Sequence, residues 1–245
     1  MKKLLLLRRI MSAILNTPLR YFGYEIRSIP LEEKNRSVWL KRAGIHTVLD
    51  IGANTGQFAE KIIKILSDVK VYSFEPLQEC LQQLYQLQQR YRNLEVLPYA
   101  CGEREEKAEM FHSVFSPSSS LLKMNDRHEE LYPNTINSFK EIVTVKRLDD
   151  IAAMLTLSPE VLLKMDVQGF EDRVIKGGRN TLRKVKVVLV EVSFEELYEE
   201  QGDFHTVYSL LYEVGFEFAG FWEQFCSSQT GLPIQADAIF IRKTL

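Results

Sequence analysis

The stretch Val48-Leu49-Asp50-Ile51-Gly52-Ala53-Asn54-Thr55-Gly56-Gln57-Phe58 decides how the rest of the chain is read. An apolar run of strand length meets two glycines and then a segment in which Phe58, Ile62, Ile65 and Leu66 recur at helical spacing. That is a strand, a tight turn and a helix. Glycines in such a turn let the backbone approach a ligand with no Cβ in the way. Asn54 stands where a helix cap belongs, and Gln57 three residues on resembles a capping-box partner. Free N–H groups at the helix start would favour a carboxylate or phosphate. Beyond Gly52, Glu75 closes the next apolar run and precedes Pro76, a position from which an acid accepts hydrogen bonds from both ribose hydroxyls of a nucleoside.

Outward from this turn the pattern repeats. Strands are expected over 46–51, 69–75 and 94–100, separated by helices over 56–66 and 77–91, the signature of a parallel sheet covered by helices. Two short strands, 107–114 and 141–147, flank the polar stretch Ser116–Asn137, whose length suits a mobile flap over a site. Helix 148–155, strand 161–166, helix 170–176, strand 185–192, helix 204–214 and strands 216–221 and 236–242 follow. The fold class is α/β, a Rossmann-like, mostly parallel seven-stranded sheet with helices on both faces. It occupies residues 45–245 as one domain, with an N-terminal helical arm over 1–44.

Charge and cysteine content narrow the function. The 245 residues hold 31 Lys+Arg and 33 Asp+Glu, a net charge of −2, without the basic excess of a nucleic-acid binder. Cys80, Cys101 and Cys226 form no Cys-x-x-Cys pair, which argues against a structural zinc module and fits free thiols in a reducing cytoplasm. The arm departs from this balance with ten Lys/Arg against three Glu. Arg8 and Arg9 cut its apolar run to Leu4–Leu7, shorter than the roughly 7–15 residues of a signal core. Leu4, Leu7, Met11 and Ile14 or Leu15 instead outline a short amphipathic helix. It either packs on the domain or makes a peripheral membrane contact through its basic face.

The turn is not a dinucleotide fingerprint, since Asn54 stands where Gly-x-Gly-x-x-Gly has its second glycine. Asp50-x-Gly52-x-x-x-Gly56 instead resembles motif I of S-adenosylmethionine-dependent methyltransferases. Further segments narrow the resemblance to the FkbM-type methyltransferases: Phe74-Glu75-Pro76, Ala100-Cys101-Gly102, Ser118-Ser119-Ser120-Leu121, and above all Leu163-Lys164-Met165-Asp166-Val167-Gln168-Gly169-Phe170-Glu171. Gly177-Gly178, Glu191 and Ala236-Asp237-Ala238 also match, so the resemblance spans about residues 45–243. Gln168 departs from the glutamate more usual there. The resemblance implies the class I methyltransferase sheet and S-adenosyl-L-methionine as cofactor. It also implies O-methyl transfer to a hydroxyl of a sugar, a polysaccharide precursor or a secondary metabolite. Carried onto this chain, it makes Asp50, Gly52, Ala53, Asn54, Thr55, Gly56, Phe58, Glu75, Pro76, Ala100, Cys101 and Asp166 the cofactor-binding residues. The expected partner is a small molecule or glycan, not a nucleic acid.

An alcohol is a poor nucleophile until it loses its proton, so a carboxylate or histidine beside it assists the transfer. Asp166 and Glu191 end neighbouring strands at the crevice where open α/β sheets bind ligands. They are the candidate catalytic carboxylates, as base, as substrate anchor or as joint holders of a divalent cation. Asp166 has the alternative of only orienting the cofactor or capping the helix at Phe170, and Glu191, with Glu195 and Glu196 nearby, that of a solvated or substrate-rim carboxylate. Among the histidines, His205, His112 and His128 are candidate bases, and His46 opens a buried strand. A nicotinamide-dependent oxidoreductase and a non-catalytic nucleotide-binding subunit are the competing functions.

Overall fold

The computed structural model describes residues 38–66, 68–113, 118–132, 138–227 and 229–243. The chain divides into two compact units, residues 1–44 and 45–245. In the first, residues 38–43 are helical, and the amphipathic helix expected over the first fifteen residues lies outside the described part. No described helix is long and apolar enough to cross a membrane.

In the second unit strands and helices alternate: β1 (Thr47–Ile51), α1 (Gln57–Ile65), β2 (Lys70–Phe74), α2 (Gln78–Arg90) and β3 (Leu94–Leu97). Next come β4 (Ala100–Gly102), β5 (Glu106–Ser113), α3 (Asp126–Leu131), β6 (Ser138–Arg147) and α4 (Leu148–Ala152). The chain continues through β7 (Val161–Met165), α5 (Glu171–Gly177), α6 (Arg179–Leu182), β8 (Val185–Ser193), α7 (Phe204–Glu213), β9 (Phe216–Cys226) and β10 (Pro233–Arg242).

The main sheet has seven strands in the order β3-β2-β1-β7-β8-β10-β9. Strands β3 to β8 run parallel, and β10 is antiparallel to both β8 and β9. Strand β1 lies between β2 and β7 and is buried at every position, as its unbroken run Thr-Val-Leu-Asp-Ile requires of a central parallel strand. The core gathers Leu49, Ile51, Leu163, Met165, Val188 and Val190 from these strands with Val174 and Ile175 of α5 and Leu211 of α7. The order reverses at β1, where the chain winds first toward β3 and later toward β9. The carboxyl ends of β1 and β7 therefore border the switch-point crevice.

Two expectations are revised. The strand expected over 94–100 stops at Leu97, because Pro98 has no N–H to give a ladder. After that break Ala100–Gly102 pairs with β6, and β4, β6 and β5 make a separate three-stranded sheet. The polar stretch expected to be one loop contains α3, capped by the Asn125 side chain accepting from the His128 N–H at 3.0 Å. Within it Ser118, Ser119, Ser120, Leu122, Met124 and His128 are all buried. Residues 114–117 and 133–137 lie outside the described part.

Candidate active site

Gly52 has φ +75°, and a Cβ built on it would lie 1.9 Å from the Asp166 carbonyl oxygen. The glycine is thus demanded by the protein itself: the turn after β1 passes directly against the end of β7. The Asp166 N–H donates to the Ile51 carbonyl at 3.1 Å, which fixes the two strand ends side by side. Gly56, at φ +91°, is the N-cap of α1, and a Cβ there would strike the Leu87 and Leu84 side chains at 2.7 and 2.9 Å. Asn54 therefore sits ahead of the cap. Its side chain accepts from the Thr55 N–H at 2.7 Å, and the expected Asn54 to Gln57 capping box is replaced by the left-handed glycine.

Glu75 follows β2 and is buried, its Oε2 accepting from the Asn54 N–H and its Oε1 from the Leu77 N–H, both at 2.9 Å. Burial pushes its carboxyl up to about 7 against the pull of those two N–H groups. A carboxylate offers about four acceptor sites, so two remain for ribose hydroxyls, and the residue fits a nucleoside. Ala53 packs with Leu81, Leu84 and Val96 behind the turn. Cys101 belongs to the main core, where burial holds its thiol above its ordinary range, and Ala100 packs with Leu77, Cys80 and Val145. At both positions the backbone is what a ligand would meet. Thr55, Phe58 and Pro76 are half-buried along the same edge.

Lys164 joins the turn to the acids. Its ammonium donates to the Gly52 carbonyl at 3.1 Å and stands 3.6 Å from Asp50 Oδ1 and 3.4 Å from Asp166 Oδ2. Burial alone would lower its proton affinity, but the charges of Asp166, Asp50 and Asp237 outweigh that and raise it. Asp50 is fully buried, and desolvation raises its carboxyl. Its Oδ2 accepts from Ser73 Oγ at 3.3 Å, while Oδ1 has Lys164 at ion-pair distance and no hydrogen bond.

The carboxyl end of β7 holds an arrangement the sequence did not reveal. Gln168 Nε2 donates to Asp166 Oδ1 at 2.8 Å and to Glu191 Oε2 at 2.7 Å, so one amide spans both candidate carboxylates. Gln235 Nε2 donates to the same Glu191 oxygen at 3.0 Å. Desolvation, reinforced by the charges of Asp166, Glu171 and Asp237, holds the Glu191 carboxyl well above the usual range. The residue is half-buried. Gln168 itself takes φ +55°, a left-handed backbone uncommon for a residue with a Cβ. Glu171 supports that turn by accepting from the Val167 N–H at 2.9 Å, and burial pushes its carboxyl up to about 7.

Among the described residues no three or more His, Cys, Asp or Glu side chains are grouped to hold a metal ion. Between Asp166 and Glu191 the bridging group is the Gln168 amide. His205 is exposed on the first turn of α7, next to its cap Asp203, and no described hydrogen bond ties it to these acids. His128 is instead the buried histidine near them, 3.2 Å from the Tyr198 hydroxyl.

The model of the Methyltransferase FkbM domain matches residues 50–218. The chain belongs to the FkbM methyltransferase family. Its match covers the glycine turn, Glu75, Asp166, Gln168 and Glu191, and family membership sets aside the nicotinamide reading. The 2-O-methyltransferase NoeI of Sinorhizobium fredii is 30% identical over 175 residues, covering 67% of this chain and 70% of NoeI. Two solved structures are also similar. Magnesium protoporphyrin IX methyltransferase from Synechocystis, solved with bound S-adenosylmethionine, has a TM-score of 0.45 at 11% identity over 96% of each chain. The 1,6-didemethyltoxoflavin-N1-methyltransferase of Burkholderia thailandensis has 0.47 at 11% identity, over 96% of this chain and 90% of that one. This FkbM protein is an S-adenosylmethionine-dependent methyltransferase with a Rossmann-like fold.

Were Glu75 to carry the ribose, its ionised carboxylate would accept from both hydroxyls, whereas its protonated form is a weaker acceptor with a competing O–H donor, so protonation near pH 7 would oppose nucleoside binding. Calorimetry should show S-adenosylhomocysteine affinity falling from pH 8 to pH 6, toward about tenfold per unit below the Glu75 midpoint. Glu75→Gln should bind about 1–3 kcal/mol more weakly at pH 8 and lose that pH dependence. A wild-type affinity independent of pH would show that Glu75 does not carry the ribose.

Proposed function

We propose that this FkbM methyltransferase transfers the sulfonium methyl group of S-adenosylmethionine to a hydroxyl of a sugar or sugar-containing precursor, with Asp166 and Glu191 facing the hydroxyl. The observation that carries the reading is the amide-bridged pair of carboxylates, Asp166 just after β7 and Glu191 in the last residues of the β8 ladder, with Asp166 against the cofactor turn. The 2-O-methyltransferase activity named for NoeI supports oxygen as the acceptor atom.

Bound S-adenosylmethionine supplies the electrophilic methyl carbon. Glu75, Asn54 and the backbone of Ala100 and Cys101 hold the nucleoside. Asp166 and Glu191 would hold the acceptor hydroxyl toward the cofactor turn, and one of them would take its proton when the oxygen is methylated. The Lys164 ammonium stands 3.4 Å from Asp166 Oδ2, whereas Glu191 has no cation at ion-pair distance among the described contacts, and desolvation raises its carboxyl. Glu191 is thus the better acceptor of the hydroxyl proton, and Asp166 the better anchor.

The test is mass spectrometry of glycan and lipid-linked sugar extracts incubated with the protein and isotope-labelled methyl donor. A labelled sugar O-methyl group is the expected product. Label on nitrogen or carbon alone would overturn the acceptor assignment. Since an amide spans the two acids, turnover should persist in excess EDTA. Loss of activity with EDTA and its return with Mg²⁺ or Ca²⁺ would instead assign a cation to the reaction.

A further inference from the structure

The Gln168 amide bridges two acids only in one of its two orientations. Turned over, it would aim its carbonyl oxygen at Asp166 and Glu191. Two ionised carboxylates would oppose that turn, but a protonated Glu191 could donate to the reversed amide and make it acceptable. A site that takes a proton during its reaction needs a second constraint on this side chain.

That constraint lies on the far side of the amide. The Tyr198 hydroxyl donates to Gln168 Oε1 at 2.8 Å. Its oxygen stands 3.2 Å from His128 Nε2, and the Ser118 carbonyl lies 3.3 Å away as a weaker competing acceptor. Burial pushes the His128 imidazole down to about 4, so at neutral pH it is uncharged and carries one ring proton. With that proton on Nε2, His128 donates into the Tyr198 oxygen and leaves the phenol proton for Gln168. Both rings are almost fully enclosed, and Ser120 Oγ holds the Gln168 main chain by donating to its carbonyl at 2.6 Å. The left-handed backbone of Gln168 is of the sort that persists where its surroundings over-determine it.

We propose that Tyr198, backed by His128, is a positioning residue whose hydroxyl fixes the Gln168 amide in the orientation that bridges Asp166 and Glu191. The proposal rests on the reading that these acids face the methyl acceptor. Its deciding readouts, however, require no acceptor. Tyr198 acts through Gln168, and its effect is read at the amide and at Glu191, whose carboxyl also faces Asp166, Glu171, Asp237 and Lys164.

The experiment is NMR of the full chain labelled with ¹⁵N-glutamine and ¹³C-glutamate, saturated with S-adenosylhomocysteine. The Gln168 and Glu191 signals are assigned by their loss in Gln168→Ala and Glu191→Gln. In the wild type the two Gln168 amide protons should be separately resolved and slow to exchange. In Tyr198→Phe they should move toward the positions of exposed glutamines, and the Glu191 midpoint should rise by about one pH unit as it loses a steady donor. His128→Leu, which keeps the Tyr198 ring, should shift both signals the same way by less. The test counts only in a variant that binds S-adenosylhomocysteine within about threefold of wild type, so His128→Leu decides if Tyr198→Phe does not fold. Unchanged amide signals and an unchanged Glu191 midpoint in such a variant would overturn the proposal. Shifted signals without any change in turnover would leave the amide lock standing and remove the acceptor reading.

Discussion

Asp166→Asn should lower methyl transfer by about 10²–10⁴, the usual worth of a positioned acid or base, while S-adenosylhomocysteine affinity stays within a few-fold. The substitution keeps the shape of the side chain and leaves an oxygen to accept from Gln168 Nε2, which now meets Asp166 Oδ1 at 2.8 Å. Its amide group would then point toward Lys164, which stands 3.4 Å from Asp166 Oδ2. A donor facing an ammonium repels it, so Lys164 moves toward Asp50 and the charge opposite the acceptor disappears. The nucleoside edge at Glu75 and Asn54 is untouched, which is why binding and turnover should separate. The measurement is kcat with the acceptor found by isotope labelling, set beside a calorimetric Kd. Turnover within about threefold of wild type would show that proximity alone drives the transfer.

The fold was legible where periodicity and glycine placement speak for themselves. The fully buried β1, the amphipathic α1 and α2, and the acid after β2 all follow from local patterns that survive in the folded chain. What the chain pattern hid depended on partners distant in sequence. Ala100 looked like the end of a strand because the true partner of Ala100–Gly102, β6, begins at Ser138. Gly52 was read as room for a ligand, whereas its Cβ position is filled by the Asp166 carbonyl. The carboxylates of Asp166 and Glu191 were visible as strand-end acids. Their bridge was not, because it requires a left-handed Gln168, a tyrosine thirty residues on and a histidine from a stretch that read as loop. The one signal in the sequence was Gln168 itself, an amide where the resemblance implies a glutamate. An amide in place of an acid between two acids points to a bridging donor.

Lys164→Met should destabilise the protein by about 3–5 kcal/mol at pH 8, the usual cost of leaving buried charge without its partner. The ammonium is about one-tenth exposed and lies between a fully buried Asp50 and a partly open Asp166. Asp50 has no other cation at ion-pair distance among the described contacts, and its Oδ1 makes no hydrogen bond even now. Methionine fills the volume of the lysine stem but removes the charge and the bond to the Gly52 carbonyl. The Asp50 carboxyl, already raised by desolvation, must then rise further. A carboxyl raised in the folded state penalises folding only at pH values above its unfolded midpoint, because below it both states are protonated. The deficit of the variant should therefore shrink as pH falls from 8 toward 4, as Asp50 takes up a proton that offsets the missing ammonium. Urea denaturation of both proteins at several pH values measures this directly. A deficit that stays constant across that range would mean that Lys164 stabilises the fold through packing and the Gly52 bond, with its charge contributing little.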